Sequence, residues 1–295
     1  MKQLQLRYIH LWTKTKQVFI FKISHIIYTS SANVLIGFLA NLSTVALYGN
    51  YNMLMSKVTS AFDGIFTGMG ASIGNLIAEG NKEKILRNFY ELLSIRYFIA
   101  SFCSISFYFV SSPFILIWLG DTFLMSNNII LLLTIQGFIL QARLTVINFK
   151  DAYGLFQDVW APISEVVMYI TISLILGKFW GLSGILMGVI ISQTLIKMIW
   201  QPYYLFKHGF KQSVLKMYWP IFLKYLCIIG ISIIAISQIS KVYLSINAID
   251  GWLSMVVYCL VIGVDVFLIL TILFFVTDKY FRSFINHIYN YLKNR

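Results

Sequence analysis

Hydrophobic positions in this chain fall in long unbroken blocks, not in the three-to-four-residue or alternating pattern of a water-soluble fold. Crossing a bilayer as a helix takes about 20 apolar residues. Read on that scale, the chain yields eight blocks: 24–47, 51–78, 92–117, 124–149, 160–176, 182–200, 221–239 and 252–276. Very short connections such as Tyr48-Gly49-Asn50 alternate with longer ones such as 79–91, which predicts hairpins. Outer-membrane barrel strands are roughly ten residues long and alternate at every second position, unlike these blocks. Helices satisfy their own backbone in lipid. The expected fold class is therefore all-α, a polytopic membrane bundle of about eight transmembrane helices.

Ahead of the first block, Gln3, Arg7, His10, Lys14 and Gln17 recur at spacings of four and three, while Leu4, Tyr8, Leu11, Trp12, Val18 and Phe19 fill the other face. This pattern predicts an amphipathic helix on the cytoplasmic face over residues 1–23. Its basic stretch is long and no small-residue cleavage site follows a short apolar core, so a removable signal peptide is not expected.

Composition agrees with the pattern: 59% of the 295 residues are hydrophobic and 12% are charged, too few polar groups to cover a water-soluble surface. The formal charge of +12 is explained by where the 23 lysines and arginines fall. With the N-terminus in the cytoplasm, five precede the first block, three lie in the second connection, two in or just before the fourth (Arg143, near the end of its block, and Lys150), three in the sixth and four in the tail. The opposite side receives only Lys178 and Lys241, which is the asymmetry of the positive-inside rule. Both termini are thus expected in the cytoplasm. The charge is directed at anionic membrane lipids, and nucleic acid is not an expected partner.

The candidate chemistry is sparse. Cys103, Cys227 and Cys259 lie inside apolar blocks, and His10, His25, His208 and His287 have no ligand spacing, so neither a disulfide framework, a metal site nor a cofactor is expected. The second block is the least lipid-like. It carries Lys57, Asp63 and two small-residue pairs, Gly64/Gly68 and Gly70/Gly74, whose four-residue spacing suits close helix packing. Asp63 lies near mid-bilayer, where an unpaired carboxylate costs at least about 2.5 kcal/mol, so it needs a partner or a function. Lys57 is six residues away, about 120° around the helix, and does not share its face. Asp265 raises the same question in the last block. Glu165, Lys197, Lys224 and Arg96 lie near block ends and read as snorkelling anchors, with Glu165 kept among the translocation candidates alongside Lys57, Asp63 and Asp265. No phosphate-cradling loop, paired metal-ligand histidines or acidic metal-binding cluster is present, and no catalytic residue is expected.

The stretch Asp151-Ala-Tyr-Gly154-Leu-Phe-Gln-Asp158-Val-Trp-Ala-Pro162-Ile-Ser-Glu165 is followed by Gly181-Leu-Ser-Gly184-Ile-Leu-Met-Gly188 and Trp200-Gln-Pro202-Tyr-Tyr-Leu-Phe-Lys207. This succession resembles the Wzx-type polysaccharide flippases of the multidrug/oligosaccharidyl-lipid/polysaccharide (MOP) exporter superfamily. The resemblance implies a six-helix C-terminal transport lobe over residues 24–207, followed over 208–295 by two additional transmembrane helices and a basic tail. It also implies transport of lipid-linked oligosaccharide repeat units in polysaccharide biosynthesis, at the bacterial cytoplasmic membrane. Gln201 departs from the pattern, since relatives often carry Glu before the Pro-Tyr. Alternating access needs two halves around a midplane site, so the chain is expected to act as half of a transporter, with a separate six-helix N-terminal lobe as partner. Two other readings remain open. One is an integral-membrane enzyme of envelope glycan or lipid assembly with carboxylates in the cytoplasmic loops. The other is a non-transporting scaffold or truncated gene product.

Overall fold

The computed structural model describes residues 2–66, 68–246 and 249–293, with the side chains of residues 2–11, 65, 291 and 292 outside the description. Among the described residues the chain is helical, with no strand. In order the helices are α1 (Lys2–Leu39), α2 (Leu42–Asp63), α3 (Met69–Ala78), α4 (Lys82–Leu119), α5 (Asn127–Ala142), α6 (Leu144–Ala152), α7 (Trp160–Gln193), α8 (Gln201–Leu205), α9 (Val214–Met217), α10 (Trp219–Ile246), α11 (Trp252–Thr277) and α12 (Lys279–Lys293). Among the described residues six stretches are long and apolar enough to cross a membrane: Trp12–Leu39, Lys82–Leu119, Asn127–Ala152, Trp160–Phe210, Val214–Ile246 and Trp252–Thr277. The outer faces are as apolar as the interior, with Leu253, Leu260 and Phe267 of α11 exposed by half or more. The chain is a multi-pass membrane protein.

Trp160–Phe210 is 51 residues long and would span roughly 75 Å if straight. It is not straight. Gly181 sits at φ 54°, ψ −132°, outside the helical region, and the chain doubles back there. Ser173 Oγ donates to the Ile185 carbonyl at 3.0 Å across twelve residues, and the two arms, 160–180 and 182–193, lie antiparallel. A Cβ on Gly184 would strike the Leu176 carbonyl, and one on Gly188 would strike Ser173, so both glycines are required by the approach of the arms. The second arm continues through a π-helical segment at Thr194–Trp200, where Lys197 is carried, into α8.

Two expected boundaries move. The first turn lies at Ala40 and Asn41, not at Tyr48-Gly49-Asn50, because Asn41 caps α2. Its extended backbone (φ −168°) lets Oδ1 accept from the Thr44 amide at 2.8 Å and from both the Ser43 and Thr44 hydroxyls. Gly49 is inside α2. The second expected block is broken instead of continuous: α2 ends at Asp63, a single 3₁₀ turn covers Gly64–Phe66, and Gly68 at φ 89° precedes α3. At the N-terminus α1 runs without interruption past residue 24. The leading part of the predicted amphipathic face, residues 1–11, lies outside the described side chains. In the part that is described, Lys14 turns inward to donate to the Gly154 carbonyl at 2.7 Å, while Trp12 and Phe19 point outward.

The bundle is organised on α4, which packs against α2, α5, α10, α11 and α12. At one end the Phe89 ring meets Phe149, Phe206 and Phe210 edge-on at 5.0–5.6 Å, tying α4 to α6 and to the segment after α8. This aromatic cluster fixes α6 and the second hairpin arm relative to each other.

Candidate functional site

Between α1, the α5–α6 junction and the hairpin lies a cavity of about 390 Å³. Its charged lining is Lys22 from α1, Arg143, Lys150 and Asp151 from the junction and α6, Glu165 from the first hairpin arm, and Lys197 from the π segment. Lys197 Nζ stands 2.6 Å from Glu165 Oε1 and 4.5 Å from the Tyr28 ring, and Tyr28 accepts from Gln193 Nε2 at 2.6 Å. Both charged side chains are less than a tenth exposed. Lys150 is held by both oxygens of Asp158, at 2.6 and 2.8 Å, and Trp200 Nε1 donates to the same carboxylate at 3.1 Å. Asp158 is therefore a structural anchor for Lys150 and does not pair with Asp151.

With these pairs formed, Arg143, Lys22 and the exposed Asp151 are left over, two cations to one carboxylate. Arg143 interrupts the helix between α5 and α6, is half-buried, and gives one hydrogen bond to the Leu140 carbonyl at 3.3 Å. It has no carboxylate within ion-pair distance among the described residues, so its guanidinium fork is presented to the cavity. In chemical terms the cavity suits an anion.

A second cluster holds Asp63. Arg96 Nη1 donates to it at 3.1 Å and Gln141 Nε2 at 3.3 Å, while the Arg96 guanidinium lies 3.5 Å from the centre of the Phe66 ring. Arg96 is buried, and Asp63 is half exposed. The partner demanded by depth is thus on α4, supplied by tertiary packing.

Lys57 is exposed on α2, with no ion-pair partner among the described residues. Asp63 is engaged as above, and Glu165 lines the cavity. Asp265 stands apart on α11, half-buried and without a polar partner among the described residues. A Cβ added at Gly64, Gly68, Gly70 or Gly74 would meet nothing within 4 Å, so no described helix packs on them. The tight glycine contacts against backbone are at Gly184 and Gly188 instead, and Gly137 and Gly177 lie against the side chains of Met55 and Leu39. The snorkelling reading of Arg96, Glu165 and Lys197 is corrected: all three are buried in ion pairs. Lys224 is also paired, at 3.0 Å from Asp278, which further accepts from Ser94 and Tyr225.

Arg143, counted with the cations of the fourth connection, lies inside the apolar stretch Asn127–Ala152. An arginine within such a stretch was the available signal. Exposed polar rows on the first two helices were also missed. On α1, Lys22, His25, Thr29 and Asn33 recur at helical spacing; on α2, Asn52, Ser56, Ser60 and Asp63 do the same, with Lys57 beside them. Several hydroxyls bond back to their own helix, as Thr29 does to the His25 carbonyl and Ser60 to that of Lys57. Lys22 and His25 also line the cavity, so the α1 row leads to its mouth.

Comparison with protein-family models, with curated proteins and with solved structures gives no match.

Proposed function

We propose that the chain is one lobe of a transporter for lipid-linked oligosaccharide repeat units, working opposite a second lobe across a polar cleft. The observation that carries this reading is the row of exposed polar side chains on α1 and α2, leading into a cavity lined by more basic than acidic residues. Side chains such as Asn33, Asn52 and Lys57 are unfavourable against acyl chains and favourable against water or a polar partner. Arg143, Lys22 and Lys57 offer the charge that a diphosphate-linked sugar needs, with Arg143 able to engage two oxygens at once.

The reading includes eight crossings with both ends in the cytoplasm. Folding at Gly181 makes two crossings of the long stretch Trp160–Phe210, and α2 with α3 makes one broken crossing between α1 and α4. Broken helices are tolerated where they line a cavity.

The test is export of polysaccharide in a host lacking its own flippase, with this chain supplied together with a matching six-span lobe. Arg143→Gln and Lys57→Gln should each reduce export at unchanged membrane abundance, and Lys57→Arg should retain part of it. Wild-type export by the Arg143→Gln, Lys57→Gln double variant at normal abundance would remove these cations from the mechanism.

A further inference from the structure

The tail after the last apolar stretch is a helix, and its three faces differ. α12 starts two residues after the end of α11. Asp278, extended at φ −117°, separates them and accepts from the Tyr280 amide at 3.1 Å. The helix is turned onto the end of α4 by a group of polar contacts around the buried Glu91. Ser283 donates to Glu91 at 2.7 Å, His287 Nδ1 lies 3.3 Å from the same carboxylate, and Arg87 bridges Glu91 and Ser283 at 3.0 Å each. Tyr280 stacks on Tyr90 at 4.8 Å, and Phe281 is buried against Phe98 and Phe274. These contacts set the rotation of α12 about its own axis.

With that rotation, Ile285, Ile288 and Tyr289 face away from the protein and are 38–63% exposed. Next to them around the helix runs a basic and amide face of Lys279, Arg282, Asn286, Asn290 and Lys293, and residues 279–293 contain no carboxylate. Helices with a protein-bound side, an apolar side and a basic side, starting where a membrane span ends, are built to lie in the interface. The basic residues flank the apolar side at the level where headgroup phosphates would stand.

We infer that α12 is a membrane-surface anchor: Ile285, Ile288 and Tyr289 enter the acyl boundary, and Lys279, Arg282 and Lys293 take anionic phospholipid headgroups. This rests on the chain crossing a membrane and is independent of the transport reading.

The experiment uses the full chain, with its three cysteines replaced, in nanodiscs of phosphatidylcholine with or without phosphatidylglycerol. A fluorophore on Ile288→Cys or Ile285→Cys should be quenched by lipids brominated on the acyl chain and shielded from aqueous iodide, whereas one on Asn290→Cys should show the reverse. Phosphatidylglycerol should increase the shielding. Replacing Lys279, Arg282 and Lys293 by Gln should remove that increase, each basic residue being worth about fivefold in lipid affinity. Equal iodide quenching at 288, 285 and 290 would overturn the insertion. Shielding that ignores both phosphatidylglycerol and the glutamine substitutions would overturn the headgroup site.

Discussion

Glu165 and Lys197 are each other's counter-charge in a setting with little water, and this makes them sensitive in a characteristic way. Replacing Glu165 by Gln leaves an ammonium buried without its carboxylate, at a cost of about 3 to 5 kcal/mol. Replacing Lys197 by Met leaves the carboxylate with Arg143 as its remaining nearby cation, at a smaller cost. The double variant removes both charges and is expected to recover most of the loss. Thermal unfolding of the three purified variants in detergent checks this, and a double variant as unstable as either single one would contradict it. The Asp63–Arg96 pair should be asymmetric. Asp63→Asn strands a buried guanidinium, whereas Arg96→Met strands a carboxylate that is half exposed and can be hydrated, so the electrostatic part of the loss is larger for Asp63→Asn. Arg143 makes no direct ion pair, but it is drawn to the nearby Glu165 carboxylate, so Arg143→Gln should destabilise the protein less than Glu165→Gln does.

At the scale of the helix, glycines serve two different purposes. Gly181 permits the hairpin through its positive φ, while Gly184 and Gly188 let the second arm lie on the first. A leucine at Gly188 would have to displace the Ser173 backbone, and the arms would separate. Gly188→Leu should therefore abolish folded protein, as judged by monodisperse elution in detergent, whereas Gly70→Leu, in open space, should elute as the parent does. An abundant, monodisperse Gly188→Leu variant would refute the close approach. Gly68 is a third kind of case: no neighbour crowds it, but its φ of 89° makes a side chain there strained. Gly68→Ala should cost about 1 to 2 kcal/mol by the left-handed penalty alone.

For the molecule as a whole, the sidedness proposed from charge can be tested with the corrected turns. Single cysteines at Ala40 and Thr122 should react with an impermeant thiol reagent from outside intact cells, and cysteines at Asn81 and Ser213 should not. All four positions are exposed. Labelling of the second pair in intact cells would overturn the proposed orientation. Asn247, which the apolar blocks place on the outside, lies outside the described residues.

The apolar blocks alone were enough to establish an all-helical membrane chain, because each block reports its own transfer free energy and needs no neighbour to do so. They also marked the hairpin, since Gly177 to Gly181 separates two blocks. Hydropathy placed the first turn several residues late: the window averages over the capping residues Asn41, Ser43 and Thr44, whose hydrogen bonds end one helix and start the next. What the charges do was beyond the sequence, because their partners are far along the chain: Arg96 is 33 residues from Asp63, and Ser94 is 184 from Asp278. A lysine near a block end reads the same whether it snorkels or is buried against Glu165. Only the packing of α1, α6 and the hairpin decided that Lys197 pairs directly with Glu165 while Arg143 stands beyond ion-pair distance and lines the cavity, because Coulomb energy at close range depends on distances that local pattern does not contain.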